Sequence, residues 1–280
     1  MNVFHVFYSF PEALAAGIII AVACSFLGVF VVLKRLVFIG ATLSEVATCG
    51  LAASLYTHMN PFLGAVIFTL VAVTLLASSQ EEYRVPRDAI MAMLFILSSG
   101  LAILFVSRSS FGLEEVKSFL YGDLILTSNA DLKVLFISVV PITILALIFL
   151  RPITYTFVDR DEARVLGIRV RFWELFFYYV MGIVISAASK LGGMLLVFCY
   201  LVVPPMAGLL TNNRLVGTIL TSVAVAILST LTGFYFSYTK DLPTNQVIVV
   251  ISCLFLVGMA GGKYFLFGFL KRKQSASMRS

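Results

Sequence analysis

The sequence predicts an all-α fold: a polytopic bundle of about eight or nine transmembrane helices with one short helix outside the membrane. Three observations predict it. Of the 280 residues, 60% are hydrophobic and 12% charged, too few polar side chains to coat a soluble domain of this size. Apolar residues run in continuous blocks of about 20, the length of helix that crosses a bilayer, and they do not alternate, which excludes a transmembrane barrel. Lysines and arginines collect at the ends of these blocks, where membrane topology places them. The net charge of +6 therefore reflects orientation in lipid and does not predict a nucleic-acid partner.

The first span covers 13–33, is uncharged, and is stopped by Lys34-Arg35. Ahead of it, MNVFHVFYSFPEAL has no basic region, so no cleaved signal peptide is expected. The second span runs through KRLVFIGATLSEVATCGLAASL and ends near His58, which reads as a loop histidine before Asn60-Pro61. The third covers 61–79 and the fourth 89–107, with the charged loop QEEYRVPRD between them. The next segment, RSSFGLEEVKSFLYGDLILTSNAD, is too polar to span. Phe111, Leu113, Val116, Phe119 and Leu120 recur at helical spacing, which suits a helix in the interface plane or over the bundle mouth. Asp123 and Asp131 there either cap helices or contact a partner.

The fifth span, 132–150, ends at Arg151-Pro152. TYTFVDRDEARVLGIRVR then predicts a short capped helix. Asp159 is placed as N-cap, Glu162 at the third helical position and Gly167 as the stop, with Ala163, Val165 and Leu166 as apolar positions. Such a helix, about seven residues and on the order of 10 Å long, is either a connector or a docking knob. The sixth span, 173–188, has Glu174 at one edge and Lys190 beyond the other. The seventh, 194–211, contains Pro204-Pro205, which remove the amides that would bond the Tyr200 and Leu201 carbonyls. A kink or break is expected there, either purely structural or lining a cavity. The eighth span covers 215–238 and the ninth 247–262, the latter with a G-x-x-x-G at Gly258 and Gly262 that suits close helix packing. Residues 1–270 read as one domain and 271–280 as a basic, frayed tail.

Orientation follows from the basic residues in alternate connections. One set holds Lys34, Arg35, Arg84, Arg87, Arg151 through Arg171, Arg214 and the C-terminal cluster; the other holds Arg108, Lys117, Lys190 and Lys240. The first set is expected in the cytoplasm, which places the C-terminus inside. Cys24, Cys49, Cys199 and Cys253 all lie in apolar segments with no C-x-x-C, so neither a disulfide framework nor a zinc finger is expected. There is no G-x-x-x-x-G-K-[ST], H-E-x-x-H or G-x-S-x-G, and two histidines in all. These absences point away from an enzyme and from a nucleotide-hydrolysing site, and toward transport.

Glu45 stands apart. It is a carboxylate in the middle of a span, set among Gly40, Ala41, Ser44, Ala47 and Gly50, with Cys49 one turn on along the same face. Intramembrane ionisable residues are costly and face a cavity or a partner. Two readings stay open: internal pairing with a lysine, an arginine or a backbone donor, or a carboxylate lining a cation path.

Five stretches, taken together and in order, resemble the membrane permease subunit of the zinc/manganese/iron ATP-binding-cassette importers. They are VLKRLVFIGATLSEV with Gly50, LYGDLILTSNADL, DEARVLGIRV, LGGMLLVFCYLVVPPMAGLLT and FSYTKDLPTNQVIVV, and they cover nearly the whole chain. The resemblance implies a non-enzymatic subunit of an importer in the cytoplasmic (inner) membrane of a prokaryote. It implies a divalent metal as substrate with no permanently bound cofactor. The implied partners are a cytoplasmic ATP-binding-cassette ATPase, an extracytoplasmic metal-binding protein and a second permease chain, identical or different. The short helix at Asp159, Glu162, Ala163, Leu166 and Gly167 becomes the coupling helix to the ATPase, and the metal path is expected at Glu45, Cys49 and Ser44. One departure stands out. Where the family carries G-D-x-x-S-H, this chain keeps Gly40 and Ser44 but has Ala41 and Glu45. A carboxylate without the imidazole favours manganese or ferrous iron over zinc, while a soft Cys49 ligand pushes the other way. The changed pair also leaves room for a metal chelate or other small nutrient as cargo, or for a membrane scaffold that does not conduct.

Overall fold

The structure, a computed structural model, describes residues 10–78, 86–108, 122, 124–158 and 160–277. The predicted interfacial stretch 109–121, Asp123 and Asp159 lie outside them. Among the described residues there are ten α-helices and no strand: α1 Pro11–Leu33, α2 Val37–Thr57, α3 Pro61–Ser78, α4 Arg87–Arg108, α5 Asn129–Ile148, α6 Leu150–Val158, α7 Arg160–Val165, α8 Val170–Thr211, α9 Leu215–Lys240 and α10 Thr244–Ser277. A 3₁₀ turn, Leu124–Leu126, precedes α5. Seven helices are long and apolar enough to cross a membrane, and Pro61–Ala77 is a shorter apolar one.

The longest helix, α8, is a hairpin. Its start lies at the end of α1, where Glu174 pairs with Lys34 and Phe177 stacks on Phe30 at 5.7 Å. Gly192 lies back near the start of α1, beside Ile20, and beside the start of α10, where Asn245 Nδ2 donates to its carbonyl at 3.0 Å. Leu201 is again far along α1, against Gly28, and Leu210 is far along α10, where Lys263 donates to its carbonyl. The chain therefore runs out over 170–192 and back over 194–211. The reversal sits at Gly193, whose φ of 66° and ψ of 167° are the non-helical backbone angles inside α8. Only glycine adopts that conformation at no steric cost. Gly122, also at positive φ, packs against the reversal so closely that a Cβ there would strike the Gly193 amide. With α8 counted as two limbs, the sixth and seventh spans read from the sequence are both present.

Of the kink or break expected at Pro204-Pro205, the break does not occur. The return limb continues to Thr211, and the chain departs from helical geometry at Gly193 instead. The reason lies in the partner helix. The Leu201 carbonyl, which Pro205 leaves without its amide, faces the Cα of Gly28, where no side chain could fit. Glycine at position 28 leaves that carbonyl the space a Cβ would otherwise fill.

Burial ranks the helices. In α2, 89% of the most apolar stretch is buried inside the bundle, against 17% in α10. The central helix of the chain is therefore the one that carries Glu45. Three helix ends are closed by non-glycine residues in the left-handed conformation: Arg35 (φ 58°), His58 (φ 55°) and Asp241 (φ 55°). In each case the next amide bonds back five residues, Leu36 to Val31, Met59 to Ser54 and Leu242 to Ser237, as in a Schellman cap. His58 is thus a helix cap and not simply a loop residue. Within the described residues the tail expected to be frayed is helical, α10 running through Ser277.

Candidate functional site

Glu45 sits on α2 with 2% of its surface exposed. Its hydrogen-bond partner is the Ser99 hydroxyl on α4. None of the ion pairs formed among the described residues involves it. Of the internal partners that the first sequence reading named, no lysine or arginine pairs with it among the described residues; a serine hydroxyl does. The seam between α2 and α4 is held by Thr42, whose hydroxyl donates to the Met91 carbonyl at 3.2 Å. One turn beyond Glu45, Cys49 packs with Ala52, Ala102 and Val106. Ser44 is fully buried, and its hydroxyl finds no hydrogen-bond partner among the described residues.

The donor set is sparse. No group of three or more His, Cys, Asp or Glu side chains suited to a metal ion occurs among the described residues. What Glu45, Ser99, Cys49 and Ser44 offer is one carboxylate, one thiol and two hydroxyls on a buried seam, which suits transient passage of a cation more than retention. A small cavity of about 40 Å³, room for roughly three waters, lies nearer the start of α2. Leu36, Ile39, Met91, Arg171, Glu174 and Tyr178 are among its lining residues.

The short helix is where the sequence places it, as Arg160–Val165. Gly167 ends it at φ 73°, with the Ile168 amide reaching the Ala163 carbonyl at 2.9 Å. Ala163 is completely buried against the bundle, whereas Val165 and Leu166 are 87% and 57% exposed. Glu162 is exposed as well. Asp131 is a capping residue: its amide bonds Ser128 Oγ at 3.2 Å, and Ser128 Oγ donates back to its carboxylate at 2.7 Å.

Three features of this region escape a reading of local sequence. Lys34 of α1 pairs with Glu174 of α8, its ammonium lying 4.3 Å over the Phe157 ring, and the Tyr178 hydroxyl donates to the same carboxylate at 3.3 Å. At the other end of the outgoing limb, Lys190 pairs with Asp131 at 2.6 Å. Ser99 opposite Glu45 is the third. Each joins residues far apart in the chain. The one available signal was that Glu174 and Lys190 sit at opposite edges of a single apolar run.

The family model for the ABC 3 transport family matches residues 7–262. Among curated proteins, the high-affinity zinc uptake system membrane protein ZnuB of Buchnera aphidicola is 28% identical over 246 residues, covering 86% of this chain and 94% of its own length. The manganese transport system membrane protein MntC of Halalkalibacterium halodurans is 24% identical over 246 residues, covering 88% and 84%. Among solved structures, PsaBC from Streptococcus pneumoniae, determined in complex with Fab, superposes with a TM-score of 0.82 at 19% identity. That match covers 92% of this chain and 94% of the solved one, and it shows the shared fold.

Proposed function

Because this chain belongs to the ABC 3 transport family, we propose that it is the membrane permease subunit of an ATP-driven importer. The cargo is a divalent transition metal (manganese, iron or zinc), and the chain works by alternating access in the cytoplasmic membrane of a prokaryote. The observation that carries this reading is the family match over nearly the whole chain, joined to a buried carboxylate with no ion-pair partner among the described residues.

The short helix α7 is the coupling helix. Its exposed Val165 and Leu166 form the apolar surface offered to a cytoplasmic ATPase, and buried Ala163 ties any push on that surface to the bundle. This end of the bundle carries Lys34, Arg35, Arg151, Arg164, Arg169, Arg171 and Arg214, the basic set that the positive-inside rule assigns to the cytoplasm. The opposite end, with Asp131, Lys190 and the α8 reversal, then receives metal from an extracytoplasmic binding protein. Glu45 supplies a single negative charge, so neutralising a divalent ion takes a second group, from the other permease chain or from the binding protein during hand-over.

The test is cellular metal content by elemental mass spectrometry, in cells expressing the chain with its cognate ATPase and binding protein. A rise in manganese, iron or zinc that disappears in Glu45→Ala is the expected result. No rise in any metal from a complex shown to be assembled sinks the reading. For the coupling helix, Glu162→Ala and Leu166→Asp should lose co-purification of the ATPase while the chain stays folded. Normal co-purification with both variants would remove α7 from that role.

A further inference from the structure

We propose that the outgoing limb of α8, residues 170–192, is the moving part of this bundle. It pivots at Gly193, and the ion pairs at its two ends are latches that open one at a time: Lys190–Asp131 on the extracytoplasmic side and Lys34–Glu174 on the cytoplasmic side. The proposal rests on the importer reading, since a transporter is what needs its two ends opened in turn.

The placement of the charges argues for latches over fixed braces. Asp131 lies in the first turn of α5, where the helix dipole favours negative charge, whereas Glu174, the fifth residue of α8, lies beyond the first turn. Lys34 caps the C-terminal end of α1, and Lys190 lies near the C-terminal end of the outgoing limb, where the dipole favours positive charge. Of the four ions, Asp131, Lys34 and Lys190 therefore keep a favourable end-of-helix field when a pair separates. Three of them also hold a second partner: Asp131 has Ser128, Glu174 has the Tyr178 hydroxyl, and Lys34 has the face of Phe157. A pair whose members are each provided for separately opens at low cost. The outer pair is 29% and 26% exposed and the inner pair 14% and 13%, so water reaches both as they part.

The rest of the limb is built to shift as a unit. Its far end is the glycine reversal, Gly192-Gly193, which meets Gly122 without an intervening side chain. Its flank against α3 is small and polar: Gly182 packs on Val73 and Thr69, and Ser186 donates to Thr69 Oγ1 at 2.8 Å. Its near end is joined through Gly167 to α7, the element with the exposed apolar residues. From Gly193 to Glu174 the arm is about 28 Å long at 1.5 Å per residue. A small tilt driven at α7 is therefore a large displacement at the inner latch and a small one at the pivot.

The test reads the α8–α3 seam directly in the full chain, in whole cells and in inverted membrane vesicles. Cys24, Cys49, Cys199 and Cys253 are replaced by serine, and Ser186→Cys is the reporter. Ser186 is fully buried, so a membrane-impermeant maleimide should label the parent slowly from either side. Asp131→Asn should speed labelling from outside by about fivefold or more, with no gain from inside. Glu174→Gln should give the mirror result, fivefold being the low end of ordinary coupling between sites. Lys190→Met and Lys34→Met break the same pairs from their other partners and must reproduce the sidedness. Unchanged labelling in all four variants overturns the proposal, as does equal acceleration from both sides, the signature of a passive brace removed. Labelling needs no transport. Side-specific opening in the labelled chain, together with no rise in metal from cells expressing the chain with its native cysteines, would keep the latches and sink the importer reading, and the converse result would do the opposite.

Discussion

Glu45 and Glu174 are the same side chain handled in opposite ways. Glu174 sits near the start of a helix, at the edge of the apolar layer, with a lysine on it, a tyrosine hydroxyl beside it and an aromatic ring under its partner. Glu45 sits in the middle of the most buried helix, 2% exposed, with a serine hydroxyl for company. A charge embedded without a counter-charge works against stability, whereas a paired one is roughly neutral to it. The contrast separates a carboxylate whose counter-charge is built into the bundle from one with no ion-pair partner among the described residues.

The sharpest way to break this comparison is to remove each carboxylate. Glu45→Ala should abolish metal accumulation in cells, the largest effect expected of any change considered, while the thermal midpoint of the purified chain stays level or rises. A lowered midpoint would place Glu45 among the structural residues. Next comes a purely packing change, Gly28→Leu, which drives a side chain into the Leu201 carbonyl and should cost about 3 kcal/mol, the upper end for overpacking, seen as a lowered midpoint. Lys34→Met takes the lysine from the Glu174 carboxylate and should cost about 2 kcal/mol, as for a buried polar group deprived of one partner. Lys190→Met strips a more exposed pair whose aspartate keeps its Ser128 cap, so the loss should stay within about 1 kcal/mol. If Lys190→Met proved more costly than Lys34→Met, exposure would not be what ranks the two ends.

Much of this arrangement was legible in the sequence, and the rest was not for a definable reason. Span positions follow from runs of apolar residues, a local property, and the observed helices begin and end close to the expected places. Gly167 as a stop was readable because its signal is one residue wide. Pro204-Pro205 left kink and break undecided because proline states only which amides are lost. What becomes of the freed Leu201 carbonyl depends on Gly28, more than 170 residues earlier in the chain. The Lys34–Glu174 and Lys190–Asp131 pairs have the same character: each charge was visible at a span edge, but the choice of partner is a property of the folded bundle. At the candidate site, Glu45, Ser44 and Cys49 were conspicuous as polar residues in an apolar span. Ser99 was not, since a serine in a membrane helix is commonplace until a carboxylate is placed opposite it.

Arg35 supplies the smallest effect and a clean control on the comparison. It stands between Lys34, on the paired side of the contrast, and α2, which carries Glu45. It adopts φ 58° so that the Leu36 amide can close α1 on the Val31 carbonyl. A left-handed residue with a Cβ costs about 1–2 kcal/mol, and glycine removes that cost while losing about 0.5–1 kcal/mol of its own chain entropy. Arg35→Gly should therefore raise stability by roughly 0.5 kcal/mol, read as a small upward shift in the thermal midpoint. Because the turn only positions the two helices, metal accumulation should be unchanged. A stabilised Arg35→Gly chain that no longer accumulates metal would mean that strain in this turn is part of how α2 works, and Arg35 would move to the Glu45 side of the comparison.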